Sequence, residues 1–164
     1  MTVRAGVLTI SDKGSRGERV DTAGPSVAEL IRTLDVEVAE SAIVADEREQ
    51  IAAQLRAWAD ERHLDLILTT GGTGFGLRDV TPEATLDVAE RQAPGVAEAM
   101  RQVGRESTPL ASLSRSVAVT RGRTLIVNLP GSERGARESL AAILDLLPHI
   151  FQMLQEDVVE QHQL

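Results

Sequence analysis

Hydrophobic positions along this chain follow two rhythms in turn. Val3–Ile10 is a short apolar run rich in β-branched residues, which predicts a buried strand. Residues 11–22 follow as a polar loop. From Pro25 onward Val27, Leu30, Ile31 and Leu34 recur at the spacing of one helical face. Val36–Val44 reads as a second strand, and residues 47–62 as a second helix whose stripe Ile51, Leu55, Trp58 and Ala59 is a core face. A third strand is predicted over residues 65–70. Thr81 and Pro82 suit an N-cap and first helical position, opening a helix to about Gln92. Pro94-Gly95 interrupts it, and a further helix runs from Val96 to about Arg105. Residues 107–114 form a polar loop. Strands over residues 116–120 and Thr124–Leu129 are joined by the turn Arg121-Gly122-Arg123. The last helix carries Leu140, Ile143, Leu144 and Leu147. Pro148 is expected to kink it, with Ile150, Phe151 and Leu154 continuing the apolar face.

Strands alternating with helices imply βαβ units and a mostly parallel sheet covered on both faces. The expected architecture is one α/β domain over residues 1–164, with no repeat, linker or low-complexity segment. No apolar run is long enough to span a bilayer, and the N-terminus lacks a signal pattern, so a cytoplasmic protein with no membrane partner is expected.

Composition narrows the chemistry. A net charge of −8 argues against a nucleic-acid partner, and two Phe, one Trp and no Tyr leave little for base stacking. The chain has no cysteine, which excludes disulfides and thiolate metal sites. His63, His149 and His162 are far apart and share no metal-ligand spacing. Any metal is therefore a hard cation such as Mg²⁺, held by carboxylates and phosphate.

In an open α/β sheet, ligands bind beyond the carboxyl ends of the strands. Ser11, Asp12 and Lys13 follow the first strand, Asp46 the second, and Gly71, Gly72, Thr73, Gly74 and then Asp79 the third. Asn128, Pro130, Gly131 and Ser132 mark the end of the last. Parallel strands bring these polar exits to one edge. The glycines let backbone N–H groups approach an anion with no Cβ in the way. Asp79, between that loop and a helix start, is a natural Mg²⁺ ligand beside bound phosphate, and Asp46 can share the same ion. Lys13 or Arg78 could neutralise a phosphate. Ser112, Ser114 and Arg115 are suited to a polar heterocycle or phosphate. Plainer readings stand beside these. The glycines also fit a tight strand-to-helix turn, Asp79 a favourable charge at a helix dipole, Asp46 with Glu49 a capping box, and the others ordinary solvated loop residues.

Six segments, in order and over nearly the whole chain, carry a family resemblance. They are Thr9-Ile10-Ser11-Asp12, Ile43-Val44-Ala45-Asp46-Glu47, Thr70-Gly71-Gly72-Thr73-Gly74, Arg78-Asp79-Val80-Thr81-Pro82-Glu83-Ala84-Thr85, Leu113-Ser114-Arg115 and Leu125-Ile126-Val127-Asn128-Leu129-Pro130-Gly131. Together they resemble the molybdopterin adenylyltransferases of molybdenum-cofactor biosynthesis. The resemblance implies a three-layer α/β sandwich of the molybdopterin-binding-domain fold, assembled as a homotrimer. It implies transfer of adenylyl from Mg²⁺-ATP to the terminal phosphate of molybdopterin, with pyrophosphate released. Asp46 and Asp79 match the family's two catalytic, metal-associated aspartates, and Gly71, Gly72, Thr73 and Gly74 its nucleotide phosphate loop. Ser11 and Asp12 fall in the first substrate loop, Asn128, Pro130, Gly131 and Ser132 at the nucleotide pocket, and Ser112, Ser114 and Arg115 on the pterin side. One branch of the family replaces the first aspartate and alters the Arg-Asp-Val-Thr-Pro run, whereas this chain keeps both. The competing functions are a non-catalytic molybdopterin carrier, a molybdenum-insertion protein or its partner, and an unrelated mononucleotide-binding protein.

Overall fold

The computed structural model describes residues 2–161, and His162 lies outside them. Six strands form one mixed sheet, whose order across the sheet starts from the strand Val36–Val44 and runs through Val3–Ile10, Leu66–Thr70, Thr124–Leu129 and Ala118–Arg121 to Arg91–Gln92. The strands β1 (Val3–Ile10), β2 (Val36–Val44), β3 (Leu66–Thr70) and β6 (Thr124–Leu129) are mutually parallel, and β5 (Ala118–Arg121) and β4 (Arg91–Gln92) add an antiparallel edge.

The continuous apolar runs of β1, β3 and β6 serve both faces of the sheet, because successive side chains point to opposite sides. Ala5, Val7, Leu66, Leu68, Leu125 and Val127 face one core. That core is covered by α2 (Ala23–Ile31), α5 (Pro94–Ser107), α6 (Glu133–Ile143) and α7 (Leu147–Gln161). Leu8, Ile10, Ile67 and Ile126 face the other, under α3 (Arg48–Arg56) and α4 (Thr81–Val88). The stripe Ile51, Leu55, Trp58 and Ala59 is buried as predicted. The result is a three-layer α/β arrangement with a mostly parallel sheet.

The structure departs from the sequence reading at four places. The loop after β1 contains one short helical turn, α1 (Asp12–Ser15), capped by Ser11, whose side chain accepts from the Gly14 N–H at 3.0 Å. The helix after Pro82 stops at Val88. Ala89 turns extended, and Arg91 and Gln92 pair with Val119 and Thr120, so tertiary pairing overrides the helix propensity of Ala-Glu-Arg-Gln. The predicted helix over residues 47–62 is regular only to Arg56 and ends in a π-helical turn, Ala57–Glu61. The last helix does not merely kink at Pro148. It breaks upstream into a 3₁₀ turn, Leu144–Leu146, and α7 restarts with Pro148 in its first turn. In an unbroken helix the proline ring would clash with the carbonyl of Leu144. Among the described residues no helix is long and apolar enough to cross a membrane.

Gly71 ties β3 to its neighbours at the point where the sheet ends. It has φ +97°, its N–H donates to Leu129 O at 3.1 Å, and a Cβ at this position would collide with the Ile10 carbonyl. Gly71→Ala is expected to strain the backbone and push β1 and β3 apart, lowering Tm by about 5 °C or more. Thermal unfolding checks this, and an unchanged Tm would show that the crossing is slack.

Candidate functional site

The parallel register sets the strand exits side by side: Asp46 beyond β2, Ser11 and Asp12 beyond β1, Gly71 and Gly72 beyond β3, Gly131 and Ser132 beyond β6. All of these but Asp12 line a cleft of about 450 Å³ that also takes in Asp79. Acidic groups from two separate crossings therefore face one space.

Asp12 and Asp46 are fastened to each other. The Asp12 N–H donates to Asp46 Oδ2 at 2.8 Å, and the Asp46 N–H donates to Asp12 Oδ1 at 3.0 Å. The capping-box reading of Asp46 does not hold: the N-cap of α3 is Glu47, with no side-chain cap bond. Arg78 reaches neither solvent alone nor an open anion site. Its guanidinium binds Asp12 through two nitrogens at 2.9 and 3.0 Å and Glu47 at 2.9 Å. That guanidinium, and then the Asp46 amide, hold the Asp12 carboxyl below the usual carboxylate range. Burial pushes the Asp46 carboxyl the other way. The Asp12 hydrogen bond opposes this, while the Asp12 and Asp79 charges add to the rise.

Asp79 folds back over the glycine loop, its Oδ2 accepting from the Gly76 N–H at 2.8 Å. Three of the loop carbonyls are held by the protein itself. Gly72 O accepts from the Thr81 N–H at 3.1 Å, Thr73 O from the Arg115 N–H at 2.9 Å, and Gly74 O from Arg115 Nε at 2.7 Å. The Gly71 N–H continues the sheet ladder. The N–H groups of Gly72, Thr73 and Gly74 have no hydrogen-bond partner among the described residues, which leaves them available to an anion.

Arg115 is thus the clamp of this loop. Its Nη1 also donates to both Glu83 carboxylate oxygens at 2.9 and 3.0 Å, and its Nη2 donates to Asp79 O at 2.8 Å. Asn128 is turned away from the cleft. It is wholly buried, its Oδ1 accepting from the Val117 N–H and its Nδ2 donating to Thr69 and Thr85. Ser112 is exposed on a 3₁₀ turn, Pro109–Leu113, and Lys13 is exposed on α1. Ser132 lines the cleft while capping α6 through the Gly135 N–H.

A second cavity of about 310 Å³ adjoins the first at Ser132. Thr73 and Gly74 form one wall, Pro130 and Ser114 others, with Met100, Leu110 and Leu113 supplying apolar surface. The glycine loop stands between the two cavities. Sequence reasoning missed Asp21, which lines the first cleft, accepts from Thr9 Oγ1 at 2.6 Å and caps the Gly24 N–H at 3.0 Å. The Asp-Thr-Ala-Gly-Pro run carries a recognisable cap signal for it.

The family profile described as "Probable molybdopterin binding domain" matches residues 6–149. The chain belongs to this family. A Helicobacter pylori member named molybdopterin adenylyltransferase is 40% identical over 155 residues, spanning 93% of this chain and 88% of the relative. The Drosophila melanogaster molybdenum cofactor synthesis protein cinnamon is 42% identical over 96% of this chain, which spans only 26% of that longer relative. The crystal structure of the molybdopterin biosynthesis enzyme MoaB from Thermus thermophilus superposes with a TM-score of 0.89 at 54% identity, covering 93% of this chain and 96% of that one. In this molybdopterin-binding-domain member the cleft and the loop that borders it fall within the matched residues.

The raised carboxyl of Asp46 gives a stability signature. A carboxyl raised in the folded state favours folding below its unfolded pKa, and that contribution is lost as pH rises through the folded pKa. Asp46→Asn removes the titration. The difference in Tm between variant and wild type should therefore move in the variant's favour between pH 4 and 7 without added ligands. A difference that is flat with pH would contradict the burial argument.

Proposed function

We propose that this chain is a molybdopterin adenylyltransferase: it transfers the adenylyl group of Mg²⁺-ATP to the terminal phosphate of molybdopterin and releases pyrophosphate. The observation that carries this reading is the pairing of Asp46 and Asp79 beside a glycine-rich loop with three open amides. The family membership and the named relatives support it.

The donor set fits a hard divalent cation. Asp46 and Asp79 each commit Oδ2 to a backbone N–H, and the Oδ1 of each accepts no hydrogen bond from the described residues. No group of three or more His, Cys, Asp or Glu able to hold a metal occurs among the described residues, so the remaining ligands come from substrate phosphate and water. Mg²⁺ held there supplies positive charge against the triphosphate and the departing pyrophosphate.

The nucleophile is the phosphate of molybdopterin, so no Ser, His or Cys need attack. The chain's own work is positioning and charge stabilisation. The amides of Gly72, Thr73 and Gly74 face the oxygens that gain charge as the α-phosphoryl group is transferred. The Thr81 and Arg115 N–H groups keep the Thr73 and Gly74 amides oriented by holding the carbonyls of the same peptide groups, Gly72 O and Thr73 O. The two adjoining cavities give the nucleotide and the pterin separate places on either side of the loop, with Ser114 on the pterin side. The full chain acts as one unit in a cytoplasmic homotrimer, and its adenylylated product feeds molybdenum insertion by a partner protein.

Incubation with molybdopterin, ATP and Mg²⁺ should yield adenylylated molybdopterin and pyrophosphate. Asp79→Asn should keep the fold and lower turnover about a hundredfold or more. Tight molybdopterin binding without product would favour a carrier, and wild-type turnover in Asp79→Asn would remove that residue from the reaction.

A further inference from the structure

Among the described residues, one buried side-chain polar atom has no hydrogen-bond partner: the Thr81 hydroxyl. Thr81 is wholly inaccessible and opens α4. Thr85, one turn further along and equally buried, has Asn128 Nδ2 at 2.9 Å. A buried hydroxyl without a partner is destabilising, and valine has the same shape without that penalty. The position therefore carries an oxygen that the ligand-free fold does not use.

The surroundings indicate where it is used. The Thr81 N–H donates to Gly72 O, which sets the two residues face to face at the cleft floor. A Cβ on Gly72 would collide with the Thr81 hydroxyl and would stand 3.3 Å from Asp46 Oδ1. The hydroxyl and the uncommitted Asp46 oxygen thus flank the same small space on either side of Gly72. The other Asp46 oxygen is already fixed by the Asp12 N–H.

We propose that Thr81 is a positioning residue for Asp46. When the cleft takes up nucleotide and cation, its hydroxyl donates to Asp46 Oδ1, directly after a small rotation or through one water, and fixes the face of the carboxylate turned to the cation. This rests on the adenylyl-transfer reading and adds to it a residue that touches neither substrate. It also accounts for the glycine at position 72, where any side chain would separate the two groups.

Thr81→Val and Thr81→Ser test it in the full chain. Without ligand, Thr81→Val should melt at or above wild type, by up to about 2–4 °C, because it deletes an unpartnered oxygen. With Mg²⁺-ATP its thermal shift should shrink, and kcat for adenylyl transfer should fall about 10–100-fold with little change in KM for molybdopterin. Thr81→Ser, which restores the hydroxyl, should recover both. A ligand-free Thr81→Val less stable than wild type would show the hydroxyl already partnered and overturn the proposal. A wild-type Mg²⁺-ATP shift and kcat in Thr81→Val would overturn it equally. If wild type itself fails to respond to Mg²⁺-ATP, the functional reading falls and takes this inference with it.

Discussion

Asp12 and Asp46 exchange backbone-to-carboxylate hydrogen bonds across the ends of two adjacent parallel strands, and the site is built on that exchange. Parallel pairing alone brings β1 and β2 to the same rim. It does not say where their side chains point once the ladder stops. The reciprocal bonds do, because each carboxylate is held by the other residue's N–H. They also hold two negative charges close together, a third being added by Asp79. Arg78 offsets part of that repulsion from the exposed side, through Asp12 and Glu47. On the Asp46 side no cation is bonded to the carboxylate among the described residues. Under the proposed function a divalent ion bound with nucleotide supplies it.

The glycine loop shows a complementary logic. Removing side chains from residues 71, 72 and 74 opens space, but open space does not orient amides. Orientation comes from behind, where Arg115 and the Thr81 N–H take the loop carbonyls. A guanidinium suits this because its planar fork satisfies Glu83, Gly74 O and Asp79 O at once. Lysine, a single point charge, could not.

The strand exits were legible in the sequence because they depend on periodicity and on one topological rule. Val3–Ile10, Val36–Val44 and Thr124–Leu129 emerge at the predicted bounds, and Ser11 and Asp46, beyond the first two, share a cleft with Asp79. Less legible was what depends on contacts distant in sequence. Arg115 and Asn128 are polar residues near the ligand-facing edge, and from sequence alone nothing distinguishes a side chain that faces a ligand from one that fastens the wall behind it. The strand at Arg91–Gln92 was hidden because its residues favour a helix, and only the open edge of β5 draws them out. The sequence pattern suggests a cap at Thr81. The cap position belongs to Val80, and the threonine side chain turns inward instead.

Under the proposed function residues 46 and 79 hold one divalent ion together with nucleotide phosphate. Titration of Mn²⁺, as a paramagnetic substitute for Mg²⁺, in the presence and absence of ATP tests this most directly. A tight Mn²⁺ site that requires ATP and is lost from both Asp46→Asn and Asp79→Asn is the expected result. Wild-type binding of Mn²⁺ with ATP by either variant would contradict it.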